Sequence, residues 1–371
     1  MKGQRNFGLD VVRMAAIIPV LLVHYTNLAV KDYPPLIAIM GEFGVDMFFA
    51  LSGFLIGGII LRDFERGFSW RVALNFYVRR WMRTLPLYYV FFVANAFVTA
   101  AGLRLDPAWA MGCYAYLLFL QNLAWPMLAP WFLESWSLAV EEWFYLLFPV
   151  IFALLPVMAA CTRVLAVALI LMAMPLLLRI WAYEAWSSLS ENATRIVVTR
   201  LDSIAFGILA ISAVTAFPVA MRRWRHIFGL AGMLGMVVSI RILEGHIEAS
   251  PFFLRTVFYA LTSASFAAIV TWANFQSWAG VERGLGRFLV RWFSTRSYAL
   301  YLCHGSVLRT MLAHSWFARP PLVSSVIFVS GCVLLAEIAH RAIELPAMRR
   351  RPREAVFVPI AAEATPAAGP P

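Results

Sequence analysis

Eleven apolar runs, each close to the length needed to cross a lipid bilayer, constrain this chain more than anything else in its sequence. They fall at about 8–28, 43–61, 86–103, 110–128, 137–158, 164–181, 200–217, 227–243, 254–274, 297–313 and 321–342. A spanning helix needs roughly 20 mostly apolar residues. Lipid offers the backbone no hydrogen-bond partners, so such runs must satisfy themselves as helices. Composition agrees: 62% of the 371 residues are hydrophobic and 14% charged, against roughly 45–50% and 25% in soluble domains. The fold class that follows is all-α, a polytopic membrane bundle.

Loop charge decides how many runs cross. Lys2 and Arg5 precede the first run, and Arg62, Arg66, Arg71, Arg79, Arg80 and Arg83 lie between the second and third. Basic residues collect on the cytoplasmic side, so both groups belong inside. If the run 110–128 does not cross, then Arg163, the group Arg222, Arg223 and Arg225, the group Arg283, Arg287, Arg291 and Arg296, and the tail with Arg349, Arg350, Arg351 and Arg353 are all inside. If it does cross, all of them fall outside. The expectation is therefore about ten spans with both termini cytoplasmic. The extra run, broken by Asn122, Pro126 and Pro130, reads as re-entrant or interfacial. The membrane unit occupies 1–346, and 347–371 reads as a basic, then Ala- and Pro-rich, disordered tail.

The formal charge of +11 suggests nucleic acid at first, but positive-inside loops account for it. Cys113, Cys161, Cys303 and Cys332 sit in apolar surroundings without metal-type spacing and read as packing residues; no metal site is expected. Lys2, Arg5 and the apolar run after them mimic a signal peptide. Asp10, Arg13 and His24 interrupt that run and no small-residue cleavage site follows, so a retained first helix is the better reading. Asn192-Ala-Thr is a glycosylation sequon of little weight. His226, His246, His314 and His340 occur near loops or helix ends.

Charges inside the apolar runs carry more information. Each costs about 2.5–3.5 kcal/mol at the centre of an inserted helix, so each needs a reason. Arg13 and His24 share one helical face, since eleven steps of 100° return to within about 20° of the start. They stand roughly 16 Å apart along it, Arg13 towards the cytoplasmic end. Asp10 is positioned to pair with Arg13. Glu141 and Glu142 lie 100° apart and cannot face one partner; Ser137, Glu141, Tyr145 and Phe148 form one stripe. Asp46 and Ser52 sit in the second span, Arg200 and Asp202 open a later one, and His304 lies midway along the tenth. A carboxylate beside a histidine suits general-base work on a hydroxyl. A proton-coupled transporter or a lipid-linked glycan flippase would bury the same residue types, so types alone leave both readings open.

Seven segments, in order, resemble the membrane acyltransferase 3 family of integral membrane O-acyltransferases. LDVVRMAAIIPVLLVHYTN carries an Arg-x10-His pattern at Arg13 and His24, and GVDMFFALSGFLIG a Phe-Phe-x-Leu-Ser-Gly-Phe signature. FYVRRWMRTLPLYY resembles the family's arginine cluster before Pro-x-Tyr. WSLAVEEWFYLLFP is similar to its Trp-Ser-Leu-x-x-Glu-x-x-Phe-Tyr element, which places Glu141 on the characteristic acid. RLDSIAFGILA, SYALYLCH and IELP resemble later segments, the match running over about 7–346. Some members add a hydrolase-like domain, and the membrane unit here is expected to act without one.

The resemblance implies a cytoplasmic acyl-CoA donor, commonly acetyl-CoA, and a glycan or glycan-like hydroxyl acceptor, in the bacterial inner membrane. No bound cofactor is implied. Arg79, Arg80 and Arg83, with Arg13, then become candidates for the donor's phosphates, Arg79 and Arg83 sharing a face. His24 becomes the general base, or a covalent acyl relay, and Glu141 its orienting partner, with Glu142 beside it in the catalytic group. Asp10, Ser52, Arg200, Asp202 and His304 are candidate acyl or acceptor contacts. Arg200 and Asp202 are expected to pair with each other at the external interface.

Overall fold

The computed structural model describes residues 5–30, 32–65, 67–102, 107–124, 127–128, 131–132, 134–185 and 195–352. Lys2, Arg66, Pro126, Pro130, Asn192 and the tail from Arg353 onward lie outside the described residues. Among those described, every regular element is a helix. In chain order these are α1 (Phe7–Ala29), α2 (Pro35–Glu65), α3 (Trp70–Gly102), α4 (Pro107–Leu117), α5 (Ser135–Leu154), α6 (Ala160–Ala185) and α7 (Leu201–Ala216). There follow α8 (Pro218–Arg223), α9 (Arg225–Leu243), α10 (Pro251–Arg255), α11 (Phe258–Phe275), α12 (Gly284–Ala313), α13 (Pro321–Ala339) and α14 (Leu345–Arg350).

By length and composition, six helical stretches among the described residues can cross a membrane: α1, α2, α5, most of α6, α9, and the continuous stretch Pro321–Arg350. A chain with these helices is a multi-pass membrane protein. Its surface fits that solvent: Leu177, Trp181, Leu230 and Leu334 are more than half exposed, whereas Asp10, Asp46, Arg200, Asp202 and His304 are buried. The polar residues face inward, as they must when lipid lies outside.

Helix directions can be read from paired contacts. Arg13 donates to Ser294 Oγ at 3.1 Å, and further along both helices the His24 and His304 rings meet at 4.9 Å. Helices α1 and α12 therefore run parallel and in register. Helices α2 and α7 are also parallel: Asp46 pairs with Arg200, and Gly57 packs on Ile208 and Ile211. Their backbones touch, since a Cβ on Gly53 would fall 1.9 Å from Ile204 O, and one on Gly207 would fall 2.1 Å from Ala50 O. Small residues permit this approach, which is how helices associate where no hydrophobic effect drives them.

The run 110–128 does not form one helix. Helix α4 has 11 residues, about 16 Å at 1.5 Å per residue, half the roughly 30 Å of a hydrocarbon core. The chain then turns at Phe119, whose φ is 56°, and Trp143 Nε1 donates to its carbonyl at 2.9 Å. Asn122 donates to Trp136 O at 3.0 Å and Arg195 O at 2.6 Å. Arg309 of α12 reaches both Asn95 of α3 (2.7 Å) and Glu134, just before α5 (3.3 Å). The Asn95 end of α3 and the start of α5 thus sit at the same end of the bundle, the His24 end.

Arg200 and Asp202 do not pair with each other. Two helical steps turn side chains 200° apart, and Arg200 binds Asp46 while Arg179 holds Asp202 at 2.6 Å.

Candidate active site

Two cavities divide the interior, and the parallel helices α1 and α12 contribute to both. The larger, about 560 Å³, opens around Arg13. Asp10 is its anchor: it accepts from Ser294 Oγ at 2.6 Å and Arg5 Nη2 at 2.7 Å, with Arg13 Nη1 3.5 Å away. Arg80 and Arg83 line the same cavity from α3, and the Arg80 guanidinium lies 5.7 Å from the Tyr145 ring centre. Behind them Arg79, Arg80, Arg83 and Arg351 surround a recess of about 60 Å³ together with Asp63. Arg351, read from sequence only as a basic residue near the tail, joins the cluster.

The sequence stripe Ser137, Glu141 and Tyr145 faces this cavity from α5. Tyr145 Oη donates to Glu141 Oε2 at 3.0 Å and exchanges a hydrogen bond with Ser52 Oγ at 2.8 Å. Glu142, one step round the helix, turns away and accepts from Thr84 Oγ1 at 2.7 Å.

The smaller cavity, about 360 Å³, contains the two histidines with Asp46, Glu134, Trp136, Arg195 and Arg200 on its walls. His24 Nδ1 lies 2.7 Å from Val20 O, and His304 Nδ1 lies 3.2 Å from Leu300 O. A carbonyl only accepts, so in each neutral ring the proton belongs on Nδ1 and the free lone pair on Nε2. His304 Nε2 is buried without a hydrogen-bond partner. The pair is thus two bases held edge-to-face, each aligned by its own helix.

Tyr301 and Val45 line both cavities and form the partition between them. Tyr301 Oη is tied to Ser137 Oγ at 2.6 Å. Arg13 and His24 accordingly belong to different cavities on one helix. Glu141 belongs to the arginine cavity, hydrogen-bonded to Tyr145, while His24 is aligned by Val20. The carboxylates lining the histidine cavity are Glu42, Asp46 and Glu134. Sequence reasoning missed Glu134 and Tyr301. Glu134 precedes its helix and looks like an ordinary loop acid, and its ion-pair partner is 175 residues away. Tyr301 sits three before His304 on the inward stripe of α12, which was the available signal. Among the described residues no group of three His, Cys, Asp or Glu is placed to hold a metal ion.

Comparison with known proteins decides the family. The profile described as an acyltransferase domain matches residues 6–339. The chain belongs to this acyltransferase family. Similar curated proteins include the peptidoglycan O-acetyltransferase OatA of Listeria monocytogenes, 26% identical over 91% of this chain and 55% of its own length. A putative peptidoglycan O-acetyltransferase of Bacillus subtilis is 25% identical over 91% and 54%. A putative O-acetyltransferase of Staphylococcus aureus is 22% identical over 91% and 56%. The chain thus spans a little over half the length of the relatives it matches. No solved structure matches it significantly.

Proposed function

We propose that this acyltransferase-family chain moves an acetyl group from acetyl-CoA in the arginine cavity to a glycan hydroxyl in the histidine cavity. The observation that carries the reading is the shared partition: a cation-rich cavity and a cavity of free imidazole lone pairs meet at Tyr301 and Val45. Arg80, Arg83 and Arg13 would take the donor's phosphates, and Arg79 with Arg351 a further phosphate in the recess behind. The roughly 16 Å from Arg13 to His24 suits an extended pantetheine arm reaching the partition. The Ser52–Tyr145–Glu141 chain lies along the way.

In direct transfer, Nε2 of His24 removes the acceptor's hydroxyl proton and the oxygen attacks the thioester carbon. The carbon–sulfur bond then breaks, and the thiolate takes the proton back from the imidazolium. General-base assistance of this kind contributes about 10²–10⁴-fold. The same lone pair could instead carry the acetyl group in a two-step relay. The names of the relatives favour peptidoglycan as the acceptor class.

We assign ten spans in the bacterial cytoplasmic membrane, both termini and the arginine cavity inside. Parallel α1 and α12 support that count, because a crossing by α4 would make them antiparallel, and so does the return of the chain to the His24 end between α3 and α5.

Mass spectrometry of the cell's glycans tests the reading. Deleting the gene should remove an acetyl increment, and His24→Ala in stably inserted protein should fail to restore it. A fully active His24→Ala protein rules out the base; an unchanged glycan profile on deletion rules out the activity.

A further inference from the structure

Glu134 is a buried carboxylate that the reaction scheme above leaves without a task. Its place is unusually well defined. Arg309 Nη2 donates to Glu134 Oε2 at 3.3 Å and is itself held by Asn95 Oδ1 at 2.7 Å, while Arg309 Nη1 donates to Trp131 O at 3.0 Å. The other carboxylate oxygen lies over the backbone of α12: a Cβ on Gly305 would fall 1.2 Å from Glu134 Oε1. Gly305 directly follows His304, so the missing side chain is what lets the carboxylate settle beside the histidine pair. Glu134, His24 and His304 all line one cavity, and Glu134 is within electrostatic reach of His304.

Charge makes the position consequential. Two rings 4.9 Å apart feel each other's charge strongly in a low-dielectric interior. The groups facing it are Asp46 and Glu42 of α2, Arg195 and Arg200, Arg255, Tyr259 of α11, Tyr301 of its own helix and Glu134. Arg200 is committed to Asp46. Glu134 in turn neutralises Arg309, a cation five residues beyond His304 on the same helix. Without the carboxylate, Arg309 would oppose any proton arriving on the pair.

We propose that Glu134 is the positioning carboxylate of the histidine pair: it balances the charge that forms when Nε2 accepts the acceptor's hydroxyl proton, and Gly305 is the residue that admits it. The role rests on the acetyl-transfer reading, but the geometry it requires does not. Bonds and protons balance as in direct transfer, the proton passing from hydroxyl to Nε2 and then to the departing thiolate, and Glu134 neither gives nor takes a proton.

The test uses the full-length chain in detergent micelles, with acetyl-CoA as donor and chemically de-O-acetylated peptidoglycan fragments as acceptor. Glu134→Gln should lower kcat about 10–100-fold, a fraction of the general-base contribution, while KM for acetyl-CoA stays within about two-fold, because the arginine cavity is untouched. Glu134→Asp should recover part of the loss. Gly305→Ala, which displaces the carboxylate, should reproduce the kcat defect, and the double variant should be no worse than either single. Independently of turnover, 15N histidine spectra assigned with His24→Gln and His304→Gln should shift at both rings in Glu134→Gln and Gly305→Ala. They should not shift in Glu141→Gln. Unshifted spectra in Glu134→Gln overturn the proposal, as does additive loss in the double variant. Shifted spectra in a protein that transfers no acetyl group uphold the geometry and overturn the acetyl-transfer reading instead.

Discussion

The two cavities differ in how their charges are arranged, and under the proposed function that difference would separate binding from chemistry. In the arginine cavity, cations outnumber carboxylates: Arg5, Arg13, Arg62, Arg80 and Arg83 face Asp10 and Glu141. The surplus suits a polyanionic ligand. The histidine cavity sets Arg195, Arg200 and Arg255 against Glu42, Asp46 and Glu134, an even balance around two imidazoles. A cavity that binds through charge should reveal itself in KM, and one that works on a proton should reveal itself in kcat.

Removing the proposed base should have the largest effect. His24→Ala is expected to lower kcat about 10²–10⁴-fold with little change in KM for acetyl-CoA, as read by steady-state kinetics on reconstituted protein. An equal loss in KM would collapse the distinction between the cavities.

The next effect falls on folding. Asp46 and Arg200 are both buried and paired, and the Arg200 guanidinium also lies 4.6 Å from the Tyr259 ring centre. Asp46→Ala leaves an uncompensated cation and should cost about 3–5 kcal/mol, measured as a lowered unfolding midpoint in detergent. The joint replacement Asp46→Asn with Arg200→Gln should be milder. If the single change leaves stability untouched, the charge balance assigned to the histidine cavity is wrong.

How much of this was legible in advance depended on range along the chain. The apolar runs announced the helices because each is a local pattern. Helical phase separated Glu141 from Glu142, and they do bind different partners, Tyr145 and Thr84. The arithmetic that set Arg13 and His24 on one face also holds, since both reach α12. What sequence could not reveal was pairing between distant helices. Arg200 and Asp202 were expected to pair at the external interface, but their partners come from α2 and α6. The choice of Glu141 as the acid beside His24 followed the family resemblance, whereas the fold puts the Tyr301 and Val45 partition between their cavities. Glu134 had no local signature, being fixed by α3 and α12 together.

Donor binding comes third in size. Arg80→Gln and Arg83→Gln should each raise KM for acetyl-CoA about 10-fold, the equivalent of roughly 1.4 kcal/mol for a lost charge-assisted contact. Their kcat should change far less than that of His24→Ala. Raising the salt concentration should weaken donor binding in the parent more than in either variant, because screening acts on the charges that remain. A kcat-only defect in both variants would move the donor's phosphates elsewhere.

The smallest expected effect falls on the partition. Tyr301→Phe keeps the ring that separates the cavities and its 5.8 Å contact with the His304 ring, but removes the hydroxyl bound to Ser137 at 2.6 Å. A hydrogen bond of this kind contributes about 0.5–1.5 kcal/mol net, so stability should fall only slightly. If the pair merely braces the wall, Ser137→Ala and Tyr301→Phe should have the same small cost, and transfer should stay within about three-fold of the parent, a change worth under 1 kcal/mol. Tyr301→Ala removes the ring itself and widens the opening where the two spaces meet. Water could then reach the thioester, so acetyl-CoA hydrolysis without acceptor should rise in that variant and not in Tyr301→Phe. Equal hydrolysis in both would show that the hydroxyl pair, and not the ring, keeps the two cavities apart.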